Sequence, residues 1–157
     1  MAQEVTLAID YGVRRVGVAV SAGVLARPLT VMPHGRRESL IARLLDLAHE
    51  EQVGLLLVGL PLNGDGSIGP QAEKTMRFAR ALAAATSLPV YLWDERRSSV
   101  AAQQALIATG RRRKARQQQL DAYAAAAFLQ DYLDEGGRGA ILVEPPPPVP
   151  PSESSDD

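Results

Sequence analysis

VTLAIDYGVRRVGVAV, residues 5–20, decides the fold. Val5, Leu7 and Ile9 alternate with Thr6 and Ala8, and Val16, Val18 and Val20 repeat that alternation, so the stretch predicts two strands joined by a tight turn. Gly12, Arg14 and Arg15 suit a turn that faces water. Asp10 closes the first strand. A carboxylate at the end of an apolar strand is costly unless water, a donor or a metal ion meets it. Asp10 is therefore either a turn-former or a metal ligand, and this stretch alone leaves both readings open.

Outward from the hairpin, Arg27–Val31 supplies a third short strand that ends at Met32-Pro33. Leu40, Ile41, Leu44, Leu45 and Ala48 fall on one face of a helix over 37–52. Val53–Leu60 is continuously apolar, as a strand covered on both faces requires. A glycine-rich loop over 59–70 leads to Pro70, a residue suited to the first turn of a helix. That helix offers Ala72, Met76, Ala79, Leu82 and Ala83 to the core. Pro89–Trp93 is a strand ending in Asp94-Glu95-Arg96-Arg97-Ser98-Ser99. Either serine caps a helix from Val100 to about Thr109, and Gly110 stops it. A last helix, alanine-rich, runs from about Gln118 to Leu133 with Asp121 in its first turn. The order predicts an α/β domain over 1–136, an antiparallel meander followed by parallel crossovers. Residues 137–157, proline-rich and acidic, read as an extended or disordered tail.

Composition narrows the function. There is no cysteine, so disulfides, zinc–thiolate sites and cysteine nucleophiles are excluded. His34 and His49 show no metal-ligand spacing. No apolar run is long enough to span a membrane, and the first residues lack a secretion signal; the expected location is the cytoplasm. Net charge is -1, but residues 1–143 carry 17 bases against 14 acids. Five of those bases, Arg111, Arg112, Arg113, Lys114 and Arg116, lie within six positions. Such a cluster is compatible with phosphate binding, although charge runs are commonly just solvated.

Two chemistries compete. Asp10, Asp94, Glu95 and Asp121 come from distant segments, yet in an open sheet the carboxyl ends of the strands share one edge. Carboxylates gathered there hold hard divalent cations for phosphoryl transfer. Each acid also has a plainer role: Asp121 complements a helix N-terminus, and Asp94 or Glu95 pairs with Arg96 or Arg97. The rival is Gly64-Asp-Gly-Ser-Ile-Gly69, a G-x-G-x-x-G match between a strand and a helix. Pro61, Leu62 and Asn63 separate it from the strand, so a dinucleotide turn fits poorly; a loop touching a polyanion with its amides fits better. An actin-like ATPase, whose phosphate loop also reads Asp-x-Gly, would need a second such hairpin.

Four blocks together resemble the YqgF/RuvX family, Holliday-junction resolvases of the RNase H-like superfamily. They are Asp10–Ala19; Val58–Ser67 with Gly69–Ala72; Asp94–Ser99; and Arg113-Lys114 followed by Asp121 with Ala124-Ala125. The resemblance covers about residues 5–134. It implies an RNase H-like fold, a five-stranded mixed sheet of order 3-2-1-4-5 with strand 2 antiparallel and helices on both sides. It implies a nuclease dependent on Mg2+ or Mn2+, with two ions, that processes the 5′ end of precursor small-subunit ribosomal RNA or resolves DNA junctions. Asp10, Glu95 and Asp121 take the metal-binding and catalytic positions, with Asp94 a rival to Glu95. Arg14, Arg15, Arg96, Arg111, Arg112, Arg113, Lys114 and Arg116 are the expected nucleic-acid contacts, those from 111 to 116 as a loop beside the site. The partner it implies is RNA, or branched or single-stranded DNA, and the protein is expected to be a monomer or homodimer. Few aromatic residues are free for stacking, so backbone recognition is expected over sequence readout. Many nucleases of this superfamily carry an acid on the fourth strand, whereas this one ends Gly59-Leu60-Pro61.

Overall fold

The computed structural model describes residues 4–97 and 113–147. Its elements run β1 (Thr6–Tyr11), β2 (Arg15–Ser21), β3 (Ala26–Pro33), α1 (Arg37–Glu50), β4 (Leu55–Leu60), α2 (Pro70–Ala84), β5 (Val90–Asp94), a 3-10 turn (Glu95–Arg97), α3 (Arg113–Asp134) and β6 (Ile141–Leu142). The sheet order is β3-β2-β1-β4-β5-β6. β1 pairs antiparallel with β2 and parallel with β4, and β4 is parallel to β5. The expected five strands and their order are present.

Strand alternation divides the core in two. On one face Leu7, Ile9, Leu56, Val58 and Leu92 pack under Leu40 and Leu44 of α1 and Phe78, Ala79 and Leu82 of α2. On the other, Ala8, Ala19, Leu57 and Trp93 pack under Ala125, Phe128 and Leu129 of α3. β4 contributes to both clusters, which is why its sequence is apolar throughout. The small residues Ala8, Ala19 and Ala125 let α3 lie close to the sheet.

Two expectations need correction. The sheet has a sixth strand: Ile141–Leu142 pairs antiparallel with β5, and the Val143 amide donates to the Val90 carbonyl at 2.8 Å. It comes from the segment read as tail, where a short apolar triplet pairs with the β5 edge and buries Val143. The last helix begins at Arg113, not near Gln118. Arginine, lysine, alanine and glutamine all favour helix, and nothing between Arg113 and Asp121 breaks one. Arg113, Lys114 and Arg116 are therefore helical rather than part of a loop, and Asp121 lies beyond the first turn. The helix expected over Val100–Thr109, together with Arg111 and Arg112, lies outside the described residues.

Candidate functional site

Asp10 is the penultimate residue of β1, at the carboxyl edge of the sheet, on the α3 face it shares with Ala8. The residues beside it on both neighbouring strands are glycines. Gly17 of β2 pairs directly with Asp10. On the other side Val58 pairs with Ile9, which puts Gly59 of β4 alongside Asp10. Each missing side chain makes room for another acid. A Cβ on Gly17 would run into the Asp121 carbonyl and stand 2.7 Å from the Ala122 nitrogen, so glycine lets the α3 backbone sit on β2 at Asp121. A Cβ on Gly59 would meet Glu95 Oε1 and stand 2.6 Å from a ring carbon of Phe128. Glu95, in the turn after β5, thus lies over β4.

The pairing of Asp94 with Leu60 and strand alternation separate the two adjacent acids. Trp93 packs under α3 and Leu92 under α2, so Asp94 projects away from Asp10. Asp94 accepts the Arg96 backbone N–H at 2.9 Å and holds the Arg96 guanidinium at 2.8 Å. Glu95 instead hydrogen-bonds Asp10.

Electrostatics shows how that pair is held. Burial pushes the Asp10 carboxyl up to about 6; the hydrogen bond from Glu95 opposes the rise, and the charge of Asp121 adds to it. Burial also pushes Glu95 up to about 8, helped by the charge of Asp10, the hydrogen bond to it and the charge of Asp94. A hydrogen bond that lowers Asp10 and raises Glu95 makes Glu95 the donor. Near neutral pH the two carboxyls share one proton, as like charges in a low-dielectric site do. Asp121 is held by Arg15, Nε to Oδ2 at 3.0 Å.

Among the described residues no three His, Asp or Glu side chains form a ready metal cage, and Asp121 pairs with Arg15. The donor chemistry still fits a hard divalent cation: two half-buried carboxyls in contact, a third close enough to raise Asp10, and no soft ligand.

The other expected residues fall in several places. Arg14 and Arg15 are exposed at the β1–β2 turn. Arg96 is occupied internally, donating through Nη1 to the Gly64 carbonyl at 3.1 Å. It thereby pins the 61–69 loop. Within that loop the Ser67 amide donates to Asp65 at 2.9 Å, Asn63 N–H to the Ser67 carbonyl at 3.0 Å, and Gly66 N–H to the Asn63 carbonyl at 2.8 Å. Three of its amides, those of Asn63, Gly66 and Ser67, are thus bonded inside the loop. The sequence reading missed Gly17 and Gly59. A glycine inside an otherwise apolar strand was the available signal for a close approach.

An open α/β sheet with this strand order and acids at its carboxyl edge defines an RNase H-like protein. Thermus thermophilus RuvC in complex with a Holliday junction substrate is similar in fold, with a TM-score of 0.57 and 21% identity over 89% of this chain and 99% of that one. A second Thermus thermophilus RuvC structure gives a TM-score of 0.52 at 19% identity, covering 88% of this chain and 99% of that one. The chain belongs to the family described as RuvX: Holliday junction resolvase, which matches residues 4–135. Relatives provisionally named pre-16S rRNA nuclease include one from Chloroflexus aurantiacus, 44% identical over 85% of this chain and 89% of its own length. Another, from Chloroflexus aggregans, is 43% identical over 85% and 96%.

Proposed function

We propose that this protein is a divalent-metal-dependent nuclease that hydrolyses phosphodiester bonds, acting on the 5′ end of precursor 16S ribosomal RNA. The observation that carries the reading is the hydrogen-bonded contact of the Asp10 and Glu95 carboxyls, with the charge of Asp121 close by, at the carboxyl edge of an RNase H-like sheet. Such a pair is unfavourable in an apoprotein and has a use where a cation replaces the shared proton. Asp10, Glu95 and Asp121 would hold Mg2+ or Mn2+, which when bound supplies charge neutralisation and activation of the attacking water. Asp10 is the fixed member, set by the strand register. Glu95 gives up its proton to become the second anion. Arg15, now on Asp121, is placed to turn to a substrate phosphate once Asp121 is engaged elsewhere. Among the described residues no helix is long and apolar enough to cross a membrane, and the proposed site of action is the cytoplasm.

The substrate follows the names of the Chloroflexus relatives. Holliday-junction resolution is the second reading, favoured by the description of the family itself; symmetric cutting of a junction would call for a dimer. The test is cleavage of labelled precursor-16S RNA, single-stranded DNA and a four-way junction, each with Mn2+, Mg2+ or chelator. Asp10→Asn should keep binding and lose at least about a hundredfold in cleavage rate, the scale of losing an electrostatic catalytic group. Metal-dependent cutting of RNA alone supports rRNA processing, and cutting of the junction alone supports resolution. Binding with no cutting of any substrate would make the protein a non-catalytic RNA-binding assembly factor.

A further inference from the structure

Across the sheet from the acids lies a second charged feature. Tyr11 follows Asp10 on β1, so its ring projects to the α1/α2 face. It stacks on Phe78, with centroids 4.1 Å apart and planes 10° from parallel. His34 leans on the same ring at 4.6 Å. Its Nδ1 lies 2.8 Å from the Gly12 carbonyl and its Nε2 2.9 Å from the Tyr11 hydroxyl. A carbonyl only accepts, so Nδ1 bears a proton, and in the neutral ring Nε2 accepts from the tyrosine. Gln71 ties the first turn of α2 to the Tyr11 carbonyl at 3.0 Å. This rigid floor underlies a cleft of about 310 Å³ whose walls carry Arg37 from α1 and Lys74 and Arg77 from α2.

All three cations are exposed, and among the described residues no carboxylate lines the cleft and none of the three makes an ion pair. Lys74 and Arg77, three apart, share one face of α2. A solvated helix face would account for those two alone. It does not account for Arg37, which a separate helix brings to the same opening. Burial pushes the Tyr11 phenol up, and the charge of Arg37 works against that rise. Converging like charges create a local positive potential that attracts an anion.

We propose that this cleft binds sugar-phosphate backbone of the same nucleic-acid strand that is cut at Asp10 and Glu95; the inference rests on the nuclease reading above. Asp10 and Tyr11 are consecutive and lie on opposite faces of one strand end. A polynucleotide crossing that end past the exposed Arg14 meets both sites. The hydrogen-bonding groups of the floor are already spent on one another, which leaves charge rather than base identity as the basis of recognition.

The test is binding of a fluorescein-labelled single-stranded RNA of about 12 nucleotides, within the span such proteins cover, in chelator so that nothing is cut. Wild type, Arg37→Gln/Arg77→Gln and Lys74→Glu are compared across a salt series by fluorescence anisotropy. Loss of two phosphate contacts should shrink the log–log salt slope by about 1.4 and weaken binding about tenfold at moderate salt. The three side chains are exposed, so thermal melts matching wild type are expected, and Lys74→Glu gives an independent variant. Unchanged affinity and slope in both variants would overturn the cleft while leaving metal-dependent cleavage, measured separately, untouched. Loss of slope in the variants with no cleavage by wild type would retain the phosphate cleft and remove the nuclease. Adenosine monophosphate or inorganic phosphate displacing RNA at equimolar concentration, in wild type but not in the variants, would show a mononucleotide or phosphate site and overturn the strand path. Failure of wild type to bind RNA would overturn the proposal as well.

Discussion

Gly17→Ala isolates the closest approach between α3 and the sheet. The added methyl would collide with the backbone carbonyl of Asp121 and stand 2.7 Å from the Ala122 nitrogen. A flexible side chain could swing aside, but a helix backbone moves only with its whole packed face, here Ala122, Ala125 and Leu129. Overpacking of a tight core costs about 1–3 kcal/mol, and the backbone identity of the obstacle puts this case near the upper figure, about 3 kcal/mol. For a chain of this size that lowers Tm by roughly 6–12 °C. Gly64→Ala is the matched control. Gly64 is exposed and a Cβ there meets nothing within 4 Å, so its effect should stay within about 0.5 kcal/mol. Calorimetric or circular-dichroism melts of both variants beside wild type decide the matter. A Gly17→Ala protein melting within about 2 °C of wild type would refute the claim that glycine is what admits α3 at Asp121.

The carboxyl pair makes stability depend on pH. Both folded pKa values lie above the ordinary ones, so folding takes up protons; that contribution is full below about pH 4 and is lost as pH rises through about 6 and about 8. Glu95→Gln removes one such proton, and between pH 5 and 7 its stability relative to wild type should rise by roughly 2–3 kcal/mol, read by urea unfolding in chelator; parallel pH curves would contradict the shared proton. Gly59→Ala meets a movable carboxylate and the Phe128 ring rather than a backbone, so it should cost less than Gly17→Ala, about 1–2 kcal/mol, while lowering metal-dependent cleavage by displacing Glu95; a variant with wild-type cleavage would count against the placement of Glu95 over β4.

What could be read from the sequence follows what is local. The β1–β2 alternation, the twice-covered β4 and the apolar faces of α1 and α2 are repeated over several residues, and each was legible. The start of α3 was hidden because Arg111–Arg116 reads first as charge, although the helix propensity of the same residues pointed the other way. β6 has two residues, too few for a pattern. Asp10, Glu95 and Asp121 were legible as candidates from residue type and position at element ends. Their gathering at one sheet edge was expected as well; the close approach that brings it about was not, because it depends on Gly17 and Gly59 in other strands. Arg37, Lys74 and Arg77 gave no signal at all: they are ordinary surface cations until α1 and α2 bring them to one cleft.

The same glycines account for the missing acid on the fourth strand. β4 lies beside β1, so a side chain at position 59 would project next to Asp10, where an acid on that strand could serve directly. Gly59 leaves that volume empty, and the chain fills it from further on: β5 carries the backbone one strand outward, and the turn at Glu95 brings a carboxyl group back over β4 to hydrogen-bond Asp10. The position of the carboxyl group is kept while its origin in sequence moves from strand four to the turn after strand five. This also explains why Glu95 rather than Asp94 does it. Asp94 is still within the strand, and its side chain is committed by alternation to the opposite face, where it fixes Arg96 and through it the 61–69 loop. Of the two adjacent acids, one builds the scaffold beside the site and the other enters it.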